Sequence, residues 1–176
     1  MTSLNASRAV FVSLLAALAA MPAQAQSTET FESLTHQATT WTTAGTAMQA
    51  IAPMSVEDGV SIFGPGFAAP FGYGAGGSQK WYGTDYSVSS PAAGGFETAS
   101  PADAFVVHQL QAWTSNDGGD NDASGEVTFV GVKHDGSNVS ETITVSPAGI
   151  GGGDYDTVVF AGALNGVQLR GLRMTL

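Results

Sequence analysis

The sequence predicts an all-β sandwich, and three observations carry that reading. Beyond the first 25 residues no long stretch has helical hydrophobic period. Short apolar runs alternate with clusters of Gly, Asp, Asn and Pro, the punctuation of strands joined by turns. Gly, Ser, Thr and Val abound, while only 11% of the 176 residues are charged.

The elements follow in chain order. Residues 1–8 carry one basic residue, Arg8, and lead into the apolar run "AVFVSLLAALAAM". "PAQA" then closes with Ala23-Gln24-Ala25, small residues at the two positions a signal peptidase reads. This is the pattern of a secretory signal peptide, with cleavage expected after Ala25. The run is short for a membrane span, which needs about 20 apolar residues. A single domain over 26–176 is expected to follow. A chain of this size buries roughly 70% of its unfolded surface, enough for a core without disulfides. There is no cysteine, which excludes thiol catalysis, Fe–S clusters and Cys-ligated zinc.

"TFESL" (30–34) reads as a first strand, and "TAMQAIAPM" (46–54) as a strand or a turn of helix. "GVSIFG" (59–64) reads as a strand. Residues 64–90, "GPGFAAPFGYGAGGSQKWYGTDYSVSS", mix Gly, Pro and aromatics with little period. They read as a long ordered loop with a short strand near 81–88. "AFVVHQLQAW" (104–113) reads as one strand, with Phe105, Val107 and Trp113 on one face and Val106, Leu110 and Ala112 on the other. "EVTFVGVK" (126–133) and "VSETITV" (139–145) flank "HDGSN", where Asp135-Gly136 is a hairpin turn, since Gly accepts the positive φ that tight turns need. "YDTVVF" (155–160) is a further strand. "VQLRGLRMTL" (167–176) is the last, with Gly171 as a bulge or bend and the end expected to be tied into the sheet.

Charge narrows the function. Removing residues 1–25 takes Arg8 and no acid, so 4 basic residues face 15 acidic ones, a formal charge of −11. Nucleic-acid binding, which rests on cation–phosphate contacts, is not expected. Binding to an anionic membrane is disfavoured for the same reason. The balance suits an exported, self-repelling protein or one that meets divalent cations.

Residues 115–126, "SNDGGDNDASGE", hold four acids and three glycines. From Asp120, the series Asp120, Asp122, Ser124 with Gly125 matches the first half of a calcium loop, where alternate oxygens converge before a sharp glycine turn. The second half departs from it, with Gly131 where a bidentate Glu belongs. Glu126 would close a different site, with Asp117 reaching across, and hard carboxylate oxygens suit Ca²⁺. The other reading is a polar strand connection.

Phe67, Phe71, Tyr73, Trp81, Tyr82 and Tyr86 form the second candidate. Sugar rings stack on aromatic faces, which points to Trp81 and Tyr82, with Tyr73 and Tyr86 beside them, as a carbohydrate platform. The competing reading makes them a cover over one open end of the core. Asp154 and Asp156, two apart, would suit a glycosidase pair or a solvated strand entry. Gly72-x-Gly74-x-x-Gly77 lacks the βαβ setting of a dinucleotide loop. His36, His108 and His134 are scattered, with His108 read as half-buried and His134 as solvated. Asn138-Val139-Ser140 is a formal glycosylation sequon.

"FESL", "ADAFVVHQLQAW", "GEVTFVGVKHDGSNVSETITVS" and "YDTVVFAGALNGVQLRGLRM" resemble the exported domains of bacterial PEP-CTERM-type surface proteins. The likeness covers residues 31–34 and about 104–175. It implies a jelly roll similar to galactose-binding domains, associated with the cell surface or exopolysaccharide matrix, and it supplies no catalytic residues. Such proteins end in a Pro-Glu-Pro motif, an apolar helix and a basic tail. The sequence stops at Leu176 without them, so free secretion or a periplasmic location is expected. The expected function is a non-catalytic carbohydrate- or matrix-binding module with a structural calcium. A self-associating subunit of a surface layer or filament and a glycan-active hydrolase are the alternatives.

Overall fold

The computed structural model describes residues 27–52, 54–58, 80–83, 94–112, 124–146 and 155–175. Its elements are β1 (Thr40–Thr43), β2 (Thr46–Ile51), β3 (Ser55–Asp58), β4 (Lys80–Gly83), β5 (Gly94–Thr98), β6 (Gln109–Ala112), β7 (Gly125–Val132), β8 (Asn138–Val145), β9 (Asp156–Val159) and β10 (Gly171–Thr175). There is no helix among the described residues, and every strand pair is antiparallel. The all-β expectation therefore holds.

Six strands form one sheet in the order β1-β2-β5-β10-β7-β8. β6 pairs with β9 and β3 with β4 in two smaller sheets. The architecture is sandwich-like, because one core is built between the six-stranded sheet and the β6–β9 pair. Val127 and Phe129 of β7, Val145 of β8 and Leu172 of β10 meet Val158 of β9, Phe160, Leu164 and Leu169. Leu110 and Ala112 of β6 pack against the same cluster. β7 and β8 show why. Along β8 and the first half of β7 apolar residues fall at every second position, so pleating sends Val127, Phe129, Val139, Ile143 and Val145 to one face and Thr128, Ser140, Thr142 and Thr144 to the other, a pattern that Val130 and Val132 of β7 break. Phe129 and Phe160 meet edge to face, centroids 5.0 Å apart.

A second aromatic row continues the core toward β1. Phe31 abuts Trp41 at 5.6 Å, Trp41 meets Phe96 at 6.4 Å, and Phe96 meets Phe105 at 5.5 Å. Trp41 and Met48 are buried and directly opposite each other in the β1–β2 register.

Several expectations need correction. Residues 30–34 form a turn, not a strand. The Leu34 N–H donates to the Phe31 carbonyl at 3.0 Å, and Phe31 takes φ +62°. β1 at Thr40–Thr43 and β5 at Gly94–Thr98 emerge instead. Threonine dominates the first and Gly-Gly opens the second, so neither shows an apolar run. The 46–54 segment resolves to strand β2. The strand expected at 59–64 lies outside the described residues, and β3 ends just before it. Of the 64–90 loop only β4 is described. Residues 104–113 are not one strand. Phe105 forms an isolated bridge with Leu169, regular pairing lapses over 106–108, and β6 starts at Gln109. That break resets the alternation, so Phe105 and Val107 pack on the core together with Leu110 and Ala112. Trp113 lies outside the described residues. The last stretch bends at Arg170, one residue before Gly171, which instead opens β10.

Asp135-Gly136 makes the expected hairpin between β7 and β8. Gly136 has φ +80°, and its N–H donates to the Lys133 carbonyl at 3.0 Å. β10 lies in the sheet's interior, hydrogen-bonded to β5 on one side and β7 on the other, as the apolar final stretch led one to expect.

Candidate functional site

The acidic candidate opens on β7. Asp117, Asp120 and Asp122 lie outside the described residues. Ser124 is exposed just before β7, and Glu126 is exposed on β7 opposite Thr144 of β8. Among the described residues no three His, Cys, Asp or Glu side chains gather as a metal would require. The structure thus places two of the four expected ligands, both solvent-facing, where the 113–123 segment joins the sheet.

The aromatic candidate is placed by its backbone. β4 carries Trp81 and Tyr82 and pairs with β3 so that Trp81 stands opposite Glu57 and Tyr82 opposite Val56. The β3–β4 ribbon joins the rest of the fold through residues 37–38. The Gln37 N–H donates to the Val56 carbonyl at 2.6 Å, and the Val56 N–H to the Ala38 carbonyl at 3.0 Å. Val56 itself is fully buried. Tyr73 and Tyr86 lie outside the described residues.

Of the carboxylate pair only Asp156 is described. Asp154 lies outside the described residues, while Asp156 accepts the Ser146 N–H at 2.9 Å and so closes the end of β8. Beside it, burial raises the Tyr155 phenol well above its usual range. His134 is exposed in the hairpin loop, as expected. His108 is also exposed, contrary to expectation, because it falls in the 106–108 break rather than in a strand. Its carbonyl accepts the Phe160 N–H at 3.0 Å.

Two polar features were not legible in the sequence. Glu141 of β8 receives the Gly162 N–H at 3.1 Å and the Leu164 N–H at 3.0 Å, pinning the turn that leads to β10. Its partners lie more than twenty residues away, and no local motif announces them. The outer face of the six-stranded sheet, opposite the core, carries polar groups beside Val130 and the buried Val132. Gln49 donates to Glu97 at 2.8 Å, Thr128 and Thr142 share a hydrogen bond at 3.0 Å, and Arg173 stands exposed on central β10. Thr128 and Thr142 adjoin because the β7–β8 register sets them directly opposite each other. Two shallow clefts border the sheet, one of about 250 Å³ beside Asp103 and Gln168 and one of about 240 Å³ beside Arg173. Neither gathers an acid–base pair.

The chain matches no protein-family model, no curated protein and no solved structure.

Proposed function

We propose that the protein is an exported, non-catalytic binding module for carbohydrate or extracellular matrix, stabilised by calcium, on a jelly-roll sandwich of the galactose-binding type. The observation that supports it most is the placing of Trp81 and Tyr82. They sit on a hydrogen-bonded ribbon, not in an irregular loop, and that ribbon is tied to the fold through the buried Val56. A backbone fixed in this way limits the ordering cost of stacking an aromatic ring on a sugar. The outer sheet face, with Gln49, Glu97 and Arg173, offers further polar partners for sugar hydroxyls. The acidic balance and the PEP-CTERM-type resemblance agree with a role in a polysaccharide matrix.

Affinity electrophoresis in gels cast with acidic and neutral polysaccharides tests the ligand. Retardation by one of them, reduced in Trp81→Ala or Tyr82→Ala at unchanged melting temperature, supports the platform. Equal mobility with every polysaccharide overturns it. Calcium is tested separately, by titrating chelator-stripped protein. Binding to the native state raises stability by about 2.7 kcal/mol at a hundredfold excess over Kd, and Asp122→Ala is expected to abolish the gain. No heat and no thermal shift would reduce residues 115–126 to a turn.

A further inference from the structure

We propose that β8 is a self-association edge, through which two copies of this chain join their six-stranded sheets by antiparallel β8–β8 pairing. The inference stands apart from the ligand reading and rests on the hydrogen bonds of β8 alone.

β8 is the terminal strand of the sheet. The Lys133 N–H donates to the Ser137 carbonyl at 2.9 Å, which fixes the phase of the hairpin ladder. Bonded pairs alternate with non-bonded ones along an antiparallel ladder. Val139, Glu141, Ile143 and Val145 therefore face β7, and Asn138, Ser140, Thr142 and Thr144 turn their N–H and C=O groups outward. Two bonds confirm the phase. The Val132 carbonyl on β7 is taken by Arg170 on the β10 side, and the outward Ser146 N–H is taken by Asp156. Among the described residues nothing meets the outward groups from 138 to 144.

Proteins guard such edges with lysine, proline, a bulge or a short strand. β8 has none of these, its only guard being the single inward-pointing charge of Glu141, and it pairs without interruption over its whole length, Asn138–Val145. Its single charge, Glu141, is held inside the molecule by Gly162 and Leu164. What pairs with a row of alternating donors and acceptors is another strand, and β8 is complementary to itself. A twofold axis at Glu141 sets Asn138 opposite the partner's Thr144 and Ser140 opposite the partner's Thr142. Each copy then gives four N–H and four C=O groups, and the exposed side chains that meet are hydroxyls and an amide. The two Glu141 residues face each other across the axis, and each chain carries a formal charge of −10. Like charges opposed in this way repel, so salt strengthens the dimer.

Sedimentation of the purified protein across a concentration series, at low and high salt, reads the assembly directly. Amide exchange at Ser140 and Thr142 reads the edge. The expected result is a monomer–dimer equilibrium favoured by salt, with both amides slowing as the dimer fills. Thr142→Pro removes an outward donor from each copy and is expected to weaken the dimer about tenfold or more. Thr142→Lys, which keeps every backbone bond to β7 and loses only the hydroxyl bond to Thr128, is expected to do the same without loss of fold. Thr128→Ala removes the same hydroxyl pair from the neighbouring strand and leaves the dimer intact. A monomer up to roughly millimolar concentration overturns the proposal. So does slow exchange at Ser140 and Thr142 that does not depend on concentration, since the chain would then cover its own edge.

Discussion

Ala44 occupies a position that geometry would rather give to another residue. It links β1 to β2 in a two-residue turn with Gly45, and both have positive φ, +49° and +81°. Such a turn matches the twist of the flanking strands, but it favours Asn or Asp before Gly, because a Cβ strains the left-handed conformation. Ala44→Asn is therefore expected to stabilise the protein by about 0.5–1 kcal/mol, read as a higher urea midpoint with unchanged slope. An unchanged or lower midpoint would show that the strain is relieved elsewhere. Asp135 is the second residue whose chemistry is set by its turn. Its Oδ1 receives the Ser137 hydroxyl at 2.6 Å and the Ser137 N–H at 2.8 Å. The Ser137 hydroxyl, then its N–H, lower the carboxyl below the usual aspartate range, and Lys133 adds to the effect. A depressed carboxyl gives stability that is present above the ordinary aspartate range and lost as pH falls through the depressed value. The Ser137 amide shift is expected to titrate below that range, and Ser137→Ala to return Asp135 toward it. A wild-type titration at the ordinary value would dissolve the argument.

At the scale of elements, Glu141 does the work of a cap without a helix. Its carboxylate satisfies two backbone donors in the 162–166 turn, and Leu164 in that turn is fully buried in the core. Glu141→Ala leaves both N–H groups without the acceptor and is expected to cost about 1–3 kcal/mol. Glu141→Gln, which keeps one acceptor oxygen, is expected to cost less. Denaturant unfolding of both variants checks the order, and equal losses would mean that the turn holds itself. β7, β8 and their Asp-Gly turn were legible in the sequence because a period of two and a positive-φ glycine are local features. β9 was legible as a short β-branched run. β1 and β5 were not, since their inward residues are supplied one at a time. Trp41 sits among threonines, and Phe96 follows Gly94 and Gly95. Gly95 is required by a distant contact, because a Cβ there would collide with the Leu172 carbonyl oxygen of β10. Of the candidate site, Trp81 and Tyr82 were found by composition, and their strand pairing with β3 was not, because partners some twenty-five residues apart leave no periodic trace. Asp156 was legible as an acid at a strand entry, but not its bond to the Ser146 N–H, ten residues back.

For the whole molecule, the question is whether the two aromatic regions fold together. β10 joins them. Leu172 is fully buried in the cluster with Phe129 and Phe160, and it stands opposite Phe96, which leads through Trp41 to β1. Thr98, 6% exposed, ties β5 to the same crossing, since its N–H donates to the Arg170 carbonyl at 2.8 Å. β5 and β10 lie more than seventy residues apart in sequence, so closing this pairing is entropically costly and contributes to slow folding, in the millisecond-to-second range typical of such β topologies. Once closed, it makes the sheet one cooperative unit. Leu172→Ala is expected to destabilise the protein by about 2–5 kcal/mol through the lost methyl groups and the cavity left behind. The decisive reading is where that loss appears. If the unit is single, the indole N–H resonance of Trp41 and the far-ultraviolet circular dichroism will report the same lowered denaturant midpoint. If the β1–β2 hairpin melts on its own, the Trp41 midpoint will stay at its wild-type value while the dichroism moves. The row from Phe31 to Phe105 would then be a separate cluster laid beside the core.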